Sequence, residues 1–412
     1  ELKRGNNMAV TPMVRSNICL NAHPQGCKQS VLNQIEYTKK VKANTAKKDG
    51  KHRGIKNVLV LGCSNGYGLA SRITAGFAYD AATIGVSFEK AGSEKKFGTP
   101  GWYNNLAYDQ EAKKAGLFSL TIDGDAFSDE IKAEVISKAK ENNMKFDLVV
   151  YSLASPVRTD PDTKVLYKSV IKPIGKDFTG VTFDTMTGEM KEITAPAATE
   201  EEIANTVKVM GGEDWERWMK QLKEAGVLNE GCMTVAYSYI GPEVSQAIYR
   251  TGTIGMAKVD LEARAANIRS SLGEIGGQAF VSVNKGLVTR SSAVIPIIPL
   301  YLSVLFKVMK QQGSHEGCIE QINRLFADRL YIKNAKGDAA VPVDEENRIR
   351  IDDWEMDPKV QAEVSKIMPA VTAENIKELG DFEGYRSDFL ATSGFAIPGV
   401  DYEKDVERYD VI

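Results

Sequence analysis

The chain is expected to fold as an α/β protein built on a doubly wound parallel sheet. Three observations predict it. Short β-branched runs alternate with longer amphipathic runs from Lys56 onward. A glycine-rich turn follows the first apolar run, and one connection is far longer than the rest. Such alternation specifies parallel strands with helices on both faces.

Residues 57–61 (NVLVL) predict a strand and 68–78 a helix. Residues 82–88 predict a second strand and 104–116 a polar helix. A third strand falls at 117–122, a helix at 128–142 and a fourth strand at 146–152. Two more strands, at 233–237 and 279–283, each lead into a long helical pattern. About eighty residues separate the fourth and fifth strands, against the usual ~2–6 for such loops. The insertion, taken as 155–230, is rich in Pro, Thr, Asp and Gly over 155–198 and helical over 200–226. It leaves the sheet at a strand's carboxyl end, where open α/β sheets bind ligands, and is expected to build a substrate wall. A surface elaboration is the competing reading.

Composition supports this class and removes others. Hydrophobic residues make up 43% of the 412 and charged residues 26%, enough for a buried core. A net charge of -3 offers no basic footprint for nucleic acid. Cys19, Cys27, Cys63, Cys232 and Cys318 form no CxxC pair, which reads as reduced thiols in the cytoplasm. His23, His52 and His315 are the only histidines, and no metal spacing includes them. Residues 291–306 are uncharged but shorter than the roughly 20 a spanning helix needs, and contain Pro296 and Pro299. They read as a buried or ligand-lining segment, with no stable membrane insertion. Residues 1–7 precede Met8 and are taken as an expression remnant. One Rossmann-type domain is expected over 8–412, with 313–412 as a C-terminal helical and irregular extension.

Gly62-Cys63-Ser64-Asn65-Gly66-Tyr67-Gly68 follows the first strand and opens a helix. The GxxxGxG spacing is the short-chain dehydrogenase form of the dinucleotide fingerprint. Its glycines permit a tight turn, close approach of pyrophosphate and close helix–sheet packing, with the helix N-terminus facing the anion. The second strand runs into Phe88-Glu89, where a carboxylate can accept from both ribose hydroxyls and repel a 2′-phosphate. This favours NADH. Asp123 or Asp125 offers a carboxylate to adenine, or is an ordinary turn residue. Small residues in Ser152-Leu153-Ala154-Ser155 admit a ribose.

Short-chain dehydrogenases pair a tyrosine near the reacting oxygen with a lysine that binds ribose and favours the ionised phenol. Here Tyr249 and Lys258 stand nine apart, on opposite faces of any unbroken helix. Gly252 and Gly255 flank Thr253, which is expected to cap a fresh helix carrying Lys258 in its first turns. A tyrosine that merely packs is the alternative.

GCSNGYG, VSFEKAGSE, GTPGWYNN, DGDAFSDE, YSLASPVRTDP, VMGGEDWE, AYSYIGPE and Tyr249-x8-Lys258 together resemble the trans-2-enoyl-CoA reductase family. That family includes the type V enoyl-acyl-carrier-protein reductases. The likeness runs from about Arg15 to the C-terminus. It implies a monomer with an extended Rossmann core that reduces 2-enoyl thioesters with NADH and without flavin. It places Gly62, Cys63, Ser64, Asn65, Gly66 and Tyr67 at the pyrophosphate, and Phe88 and Glu89 at the adenosine ribose. Asp125 and Ala126 would meet adenine, and Leu153 and Ala154 the nicotinamide side. Leu287, Val288 and Thr289 match the nicotinamide-binding turn. Tyr249 would donate the proton, Lys258 hold ribose and Tyr239 contact substrate, while Phe306 and Tyr385 would shape the acyl pocket. The acyl carrier, coenzyme A or acyl carrier protein, stays open. Without the resemblance, two rivals remain: a short-chain dehydrogenase acting on a ketone or alcohol, and a non-catalytic NAD-binding sensor.

Overall fold

Strands that are apolar on both faces need cover on both sides, and the chain supplies it. The computed structural model describes residues 9–49, 54–290, 292–331 and 340–408. Residues 1–8, His52 and Ser291 lie outside the described residues. The central sheet contains β1 (Asn57–Leu61), β2 (Ala82–Ser87), β3 (Ser119–Asp123), β4 (Phe146–Tyr151), β5 (Leu228–Ser238), β6 (Gln278–Val283) and β7 (Ile349–Arg350). Its order is β7-β6-β5-β4-β1-β2-β3, with every neighbouring pair parallel. The order reverses between β4 and β1, so a crevice opens there at the strands' carboxyl ends.

Alternation along β1 sorts its side chains. Val58 and Val60 face α1 (Pro24–Asp49), α2 (Gly66–Tyr79), α3 (Pro100–Lys114) and later α9 (Cys318–Leu325). Leu59 and Leu61 face α4 (Asp129–Glu141), α6 (Glu213–Glu224) and α7 (Thr253–Leu272). A third apolar cluster lies around α8 (Ile298–Gln312), α10 (Pro358–Ile367) and α11 (Phe382–Ala391), and takes in Tyr249, Phe306 and Tyr385.

All six expected strands are present, with shifted ends. The third begins at Ser119, and the fifth extends back to Leu228 through an irregular register between Leu228 and Met233. Helix α3 starts earlier than expected, at Pro100, whose missing N–H costs nothing in a first turn. The seventh strand was not expected. Its two residues, paired with Ser282 and Val283, are too few to show a period. Through it the C-terminal extension becomes part of the sheet.

The insertion divides in two. Its first half forms antiparallel hairpins, Val157–Thr159 with Leu166–Lys168 and Phe178–Phe183 with Met190–Ala195. Its second half is α5 (Glu200–Met210) and α6; α6 is a layer of the sheet, while Met210 at the end of α5 packs against the cluster that holds Tyr249 and Phe306. Trp215 and Trp218 are fully buried, their indoles donating to Thr234 Oγ1 and to the Ala126 carbonyl, each at 2.9 Å. Asp214 beside them accepts from Lys132 Nζ at 2.8 Å and Tyr151 Oη at 3.0 Å, all out of water.

Candidate active site

The glycine turn joins β1 to α2 at the switch point. Gly62 has φ +84°, and a Cβ on it would stand 2.1 Å from the Ser152 carbonyl on the neighbouring strand's end. A Cβ on Gly68 would meet the Gly62 carbonyl at 1.8 Å, so α2 packs on the sheet only with glycine there. Gly66 differs: at φ +52° its missing side chain faces open space. The first-turn N–H groups of α2 have no partner within the helix and point at that space. This is what a pyrophosphate requires, and the residues fit NADH.

Within the turn the residues divide their work. The Gly62 and Cys63 N–H groups are committed to the Val86 carbonyl, at 2.9 and 3.1 Å. The buried Cys63 thiol points toward Arg72 and Asn105, away from the crevice. Burial pushes that thiol up to about 11. These two residues therefore shape the turn, and the anion-facing part begins at Ser64. Ser64 Oγ donates to Glu89 Oε1 at 2.6 Å, and Asn65 Nδ2 reaches the same oxygen at 3.3 Å. Thr99, which caps α3, donates to Glu89 Oε2. Asn104 on α3 fastens the turn's other side, bonding Ser64 O at 2.9 Å and Asn65 Oδ1 at 3.1 Å. Glu89 is thus held past the end of β2 by side chains of the glycine turn and of the cap of α3. Thr99 and Asn104 were not singled out from sequence, although GTPGWYNN contains both.

Phe88 is 80% exposed beside it, an open platform rather than core. Asp125 folds back onto the Phe127 N–H at 2.9 Å, the ordinary turn behaviour. The Ala126 carbonyl is occupied by Trp218 and Lys132. Leu153 is half-buried and Ala154 exposed at the end of β4. Leu287 and Val288 are buried after β6, and Thr289 and Ser292 cap each other, N–H to hydroxyl, at 2.9 and 3.2 Å.

Tyr249 and Lys258 do lie on separate elements. Residues 243–252 make tight turns, and α7 starts afresh at Thr253. A Cβ on Gly255 would meet the Arg250 carbonyl at 1.8 Å, which is why the chain can fold back so sharply there. The cap, however, is Gly252 and not Thr253. Thr253 Oγ1 instead donates to Val170 O at 2.6 Å, and its N–H to Lys172 O at 3.0 Å, tying α7 to the insertion. Arg250 pairs with Glu262, one turn beyond Lys258, at 3.0 Å and holds Tyr249's segment against α7. Lys258 Nζ lies 3.4 Å from the Tyr237 carbonyl, and burial pushes it down to about 8. Burial alone raises the Tyr249 phenol above its usual value, with no offset from Lys258.

Tyr239 packs edge-on to Tyr249, ring centroids 5.1 Å apart. Its hydroxyl donates to Glu355 Oε1 at 2.9 Å, and Tyr301 Oη donates to the same oxygen at 2.8 Å. Glu355 Oε2 accepts the Gly286 N–H at 2.7 Å. Sequence reasoning missed Glu355, since nothing local in DDWEMD marks it. Phe306 is fully buried, its ring covered by Lys285 Nζ at 4.5 Å and by His315 at 4.7 Å. Tyr385 is buried against Phe183 of the insertion's second hairpin at 5.2 Å, its hydroxyl without a partner.

A glycine turn at the switch point of a doubly wound parallel sheet defines an α/β protein of the dinucleotide-binding type. Comparison with known proteins narrows this. Residues 96–331 match the trans-2-enoyl-CoA reductase catalytic region and 9–94 the NAD(P)H binding domain of trans-2-enoyl-CoA reductase. A trans-2-enoyl-CoA reductase [NADH] of Treponema denticola is 67% identical over 98% of this chain and 100% of its own. An enoyl-[acyl-carrier-protein] reductase [NADH] of Flavobacterium johnsoniae is 54% identical over 97% and 98%. The crystal structure of the Treponema denticola enzyme in complex with NAD superposes with a TM-score of 0.93 at 66% identity, covering 98% of this chain and 99% of that one. The chain belongs to the trans-2-enoyl-CoA reductase family.

Residues 343–406 match a segment described as the enoyl reductase FAD binding domain. The residues there do not fit a flavin. Gly394, at φ +80°, packs against the His23 carbonyl, Gly380 against Ser303, and Gly384 against Asp381. None opens a strand-to-helix phosphate turn, and the segment's buried Glu355 is spent on Tyr239, Tyr301 and Gly286.

Proposed function

We propose that the chain reduces the C2–C3 double bond of trans-2-enoyl thioesters with NADH, and that Tyr249 and Lys258 carry the step. One observation supports this most: Tyr249 is buried edge-on to Tyr239 past the end of β5, and Lys258, on the helix that starts afresh after it, reaches the Tyr237 carbonyl of the same strand. When bound, NADH supplies the hydride for C3. Tyr249 then faces the thioester oxygen on which charge develops, its O–H stabilises that charge where it appears, and a proton taken up at C2 completes the saturated thioester. Lys258, charged below about pH 8, holds the nicotinamide ribose. The N–H groups from Ser64 to Gly68 carry the pyrophosphate, with Glu89 on the adenosine ribose. Leu153, Ala154 and Leu287–Val288–Thr289 close around the nicotinamide. Phe306 and Tyr385 limit the acyl chain from the side of α8 and α11.

We read the enzyme as a cytoplasmic monomer. All five cysteines are free thiols, and no helix among the described residues is long and apolar enough to cross a membrane. The decisive assay follows NADH absorbance with crotonyl-CoA and with acetoacetyl-CoA. Turnover of the first alone is expected; turnover of the second alone overturns the reading in favour of a carbonyl reductase. Kinetics with C4 to C12 chains on coenzyme A and on acyl carrier protein then name the carrier.

A further inference from the structure

Glu355 is a charged side chain with no exposure, 116 positions from the tyrosine it touches. Two phenols and one backbone N–H converge on it. While Glu355 is a carboxylate it only accepts, so both phenols must donate to it. Tyr239 has a single hydroxyl proton, and in that state the proton points away from the substrate. Once Glu355 is protonated, its own O–H can donate to Tyr239, and the Tyr239 proton is released toward the crevice.

We propose that Glu355 is a positioning residue for the reduction, whose protonation state decides whether Tyr239 donates a hydrogen bond to the thioester carbonyl. This rests on the reading of Tyr239 as a substrate contact. The surroundings make such a switch workable. Burial raises the Glu355 carboxyl toward protonation, opposed by Lys285 and by the Gly286, Tyr301 and Tyr239 donors. Lys285, which bonds the Gly286 carbonyl at 3.2 Å, is itself pushed down to about 8 by burial and is shared with Glu316 and Asp388. Tyr67 on α2 faces the same carboxyl from the cofactor side, with its hydroxyl tied to Lys285 O at 2.7 Å. On α10, Gln361 fixes the frame by donating to Tyr301 Oη at 3.1 Å and to the Glu355 carbonyl at 2.8 Å. The Tyr239 proton is therefore the mobile part.

The sign follows directly. As pH rises through the Glu355 value, Tyr239 is withdrawn from the substrate and kcat/KM falls. Glu355→Gln removes the switch without removing the bonds. One amide N–H donates to Tyr239, as the O–H of the protonated acid would, the second faces Tyr301, and the amide oxygen accepts from Gly286. The test measures kcat and KM for crotonyl-CoA across pH in the wild type, Glu355→Gln, Tyr239→Phe and the double variant. The ratio of wild-type to Glu355→Gln kcat/KM is expected to decline with pH by about threefold or more, the fall through Lys258 cancelling. In the Tyr239→Phe background the same substitution should change kcat/KM by less than about twofold. A flat ratio, or effects that multiply independently, overturns the switch alone. Unchanged kinetics of Tyr239→Phe overturns the substrate contact and the switch with it. If Glu355→Gln does not fold, Tyr301→Phe decides. It withdraws one donor from the carboxylate, so the fall must move to higher pH, and an unmoved profile overturns the proposal.

Discussion

The two halves of the crevice are built on opposite plans. The cofactor half is local: Gly62 to Gly68 form one turn, and Glu89 is braced by Ser64 and Thr99 at the ends of adjacent strands. The reacting half is gathered from afar. Tyr239 follows β5, Gly286 follows β6, Tyr301 lies on α8, and Glu355 arrives from beyond β7. Binding a dinucleotide needs a backbone shape, which neighbouring residues can supply. A buried carboxylate such as Glu355 is tolerated in a low-dielectric core only with several donors, which here come from different elements.

The largest effect that sharpens this contrast is expected at Tyr249. Tyr249→Phe should lower turnover by about 10²–10³ or more while NADH affinity, followed by fluorescence titration, holds. Near-normal turnover would break the assignment. On the cofactor side, Glu89→Ala should weaken NADH on the order of tenfold and narrow the gap to NADPH, with kcat for the enoyl substrate nearly kept. A loss of kcat without any change in KM for NADH would show the two halves are not separable in this way. Lys258 gives a pH signature. Its lowered value means charge is present below about 8 and lost above, so kcat/KM should decline as pH rises through that point. Lys258→Arg, which stays charged, should abolish that decline. The smallest effect is expected at Phe306. Phe306→Ala should shift preference among C4 to C12 substrates by about two- to fivefold, leaving NADH affinity unchanged. Equal losses at all lengths would make the residue plain core.

This contrast also explains what could be read in advance. The six main strands and the glycine turn were legible because each signal lies within one βα unit. The break between Tyr249 and Lys258 was legible because only an interruption reconciles a spacing of nine with a shared site. Its cap was misplaced: Thr253 suits the position, but its hydroxyl is claimed by Val170 across the insertion. The helices at 200–226 were assigned to the substrate side because of their place in the chain. For Trp215 and Trp218 on α6 the neighbours, Thr234 and Ala126, appear only on folding. Glu355 left no trace in sequence, since an isolated acidic residue near other acids looks like surface.

One consequence follows from the ion pair under α6. Lys132 and Asp214 have almost no contact with water, and Tyr151 on the sheet completes their bonding. Removing one member of such a pair typically costs ~3–5 kcal/mol, so the pair fastens α6 to α4 and, through Tyr151, to the sheet. The hairpin bearing Phe183 is held differently: its rings meet Phe382 and Tyr385, and Asn17 bonds the Phe183 carbonyl and the Thr185 N–H. The insertion is thus anchored in two unlike ways, by a buried charge pair in one half and by aromatic rings and an asparagine in the other.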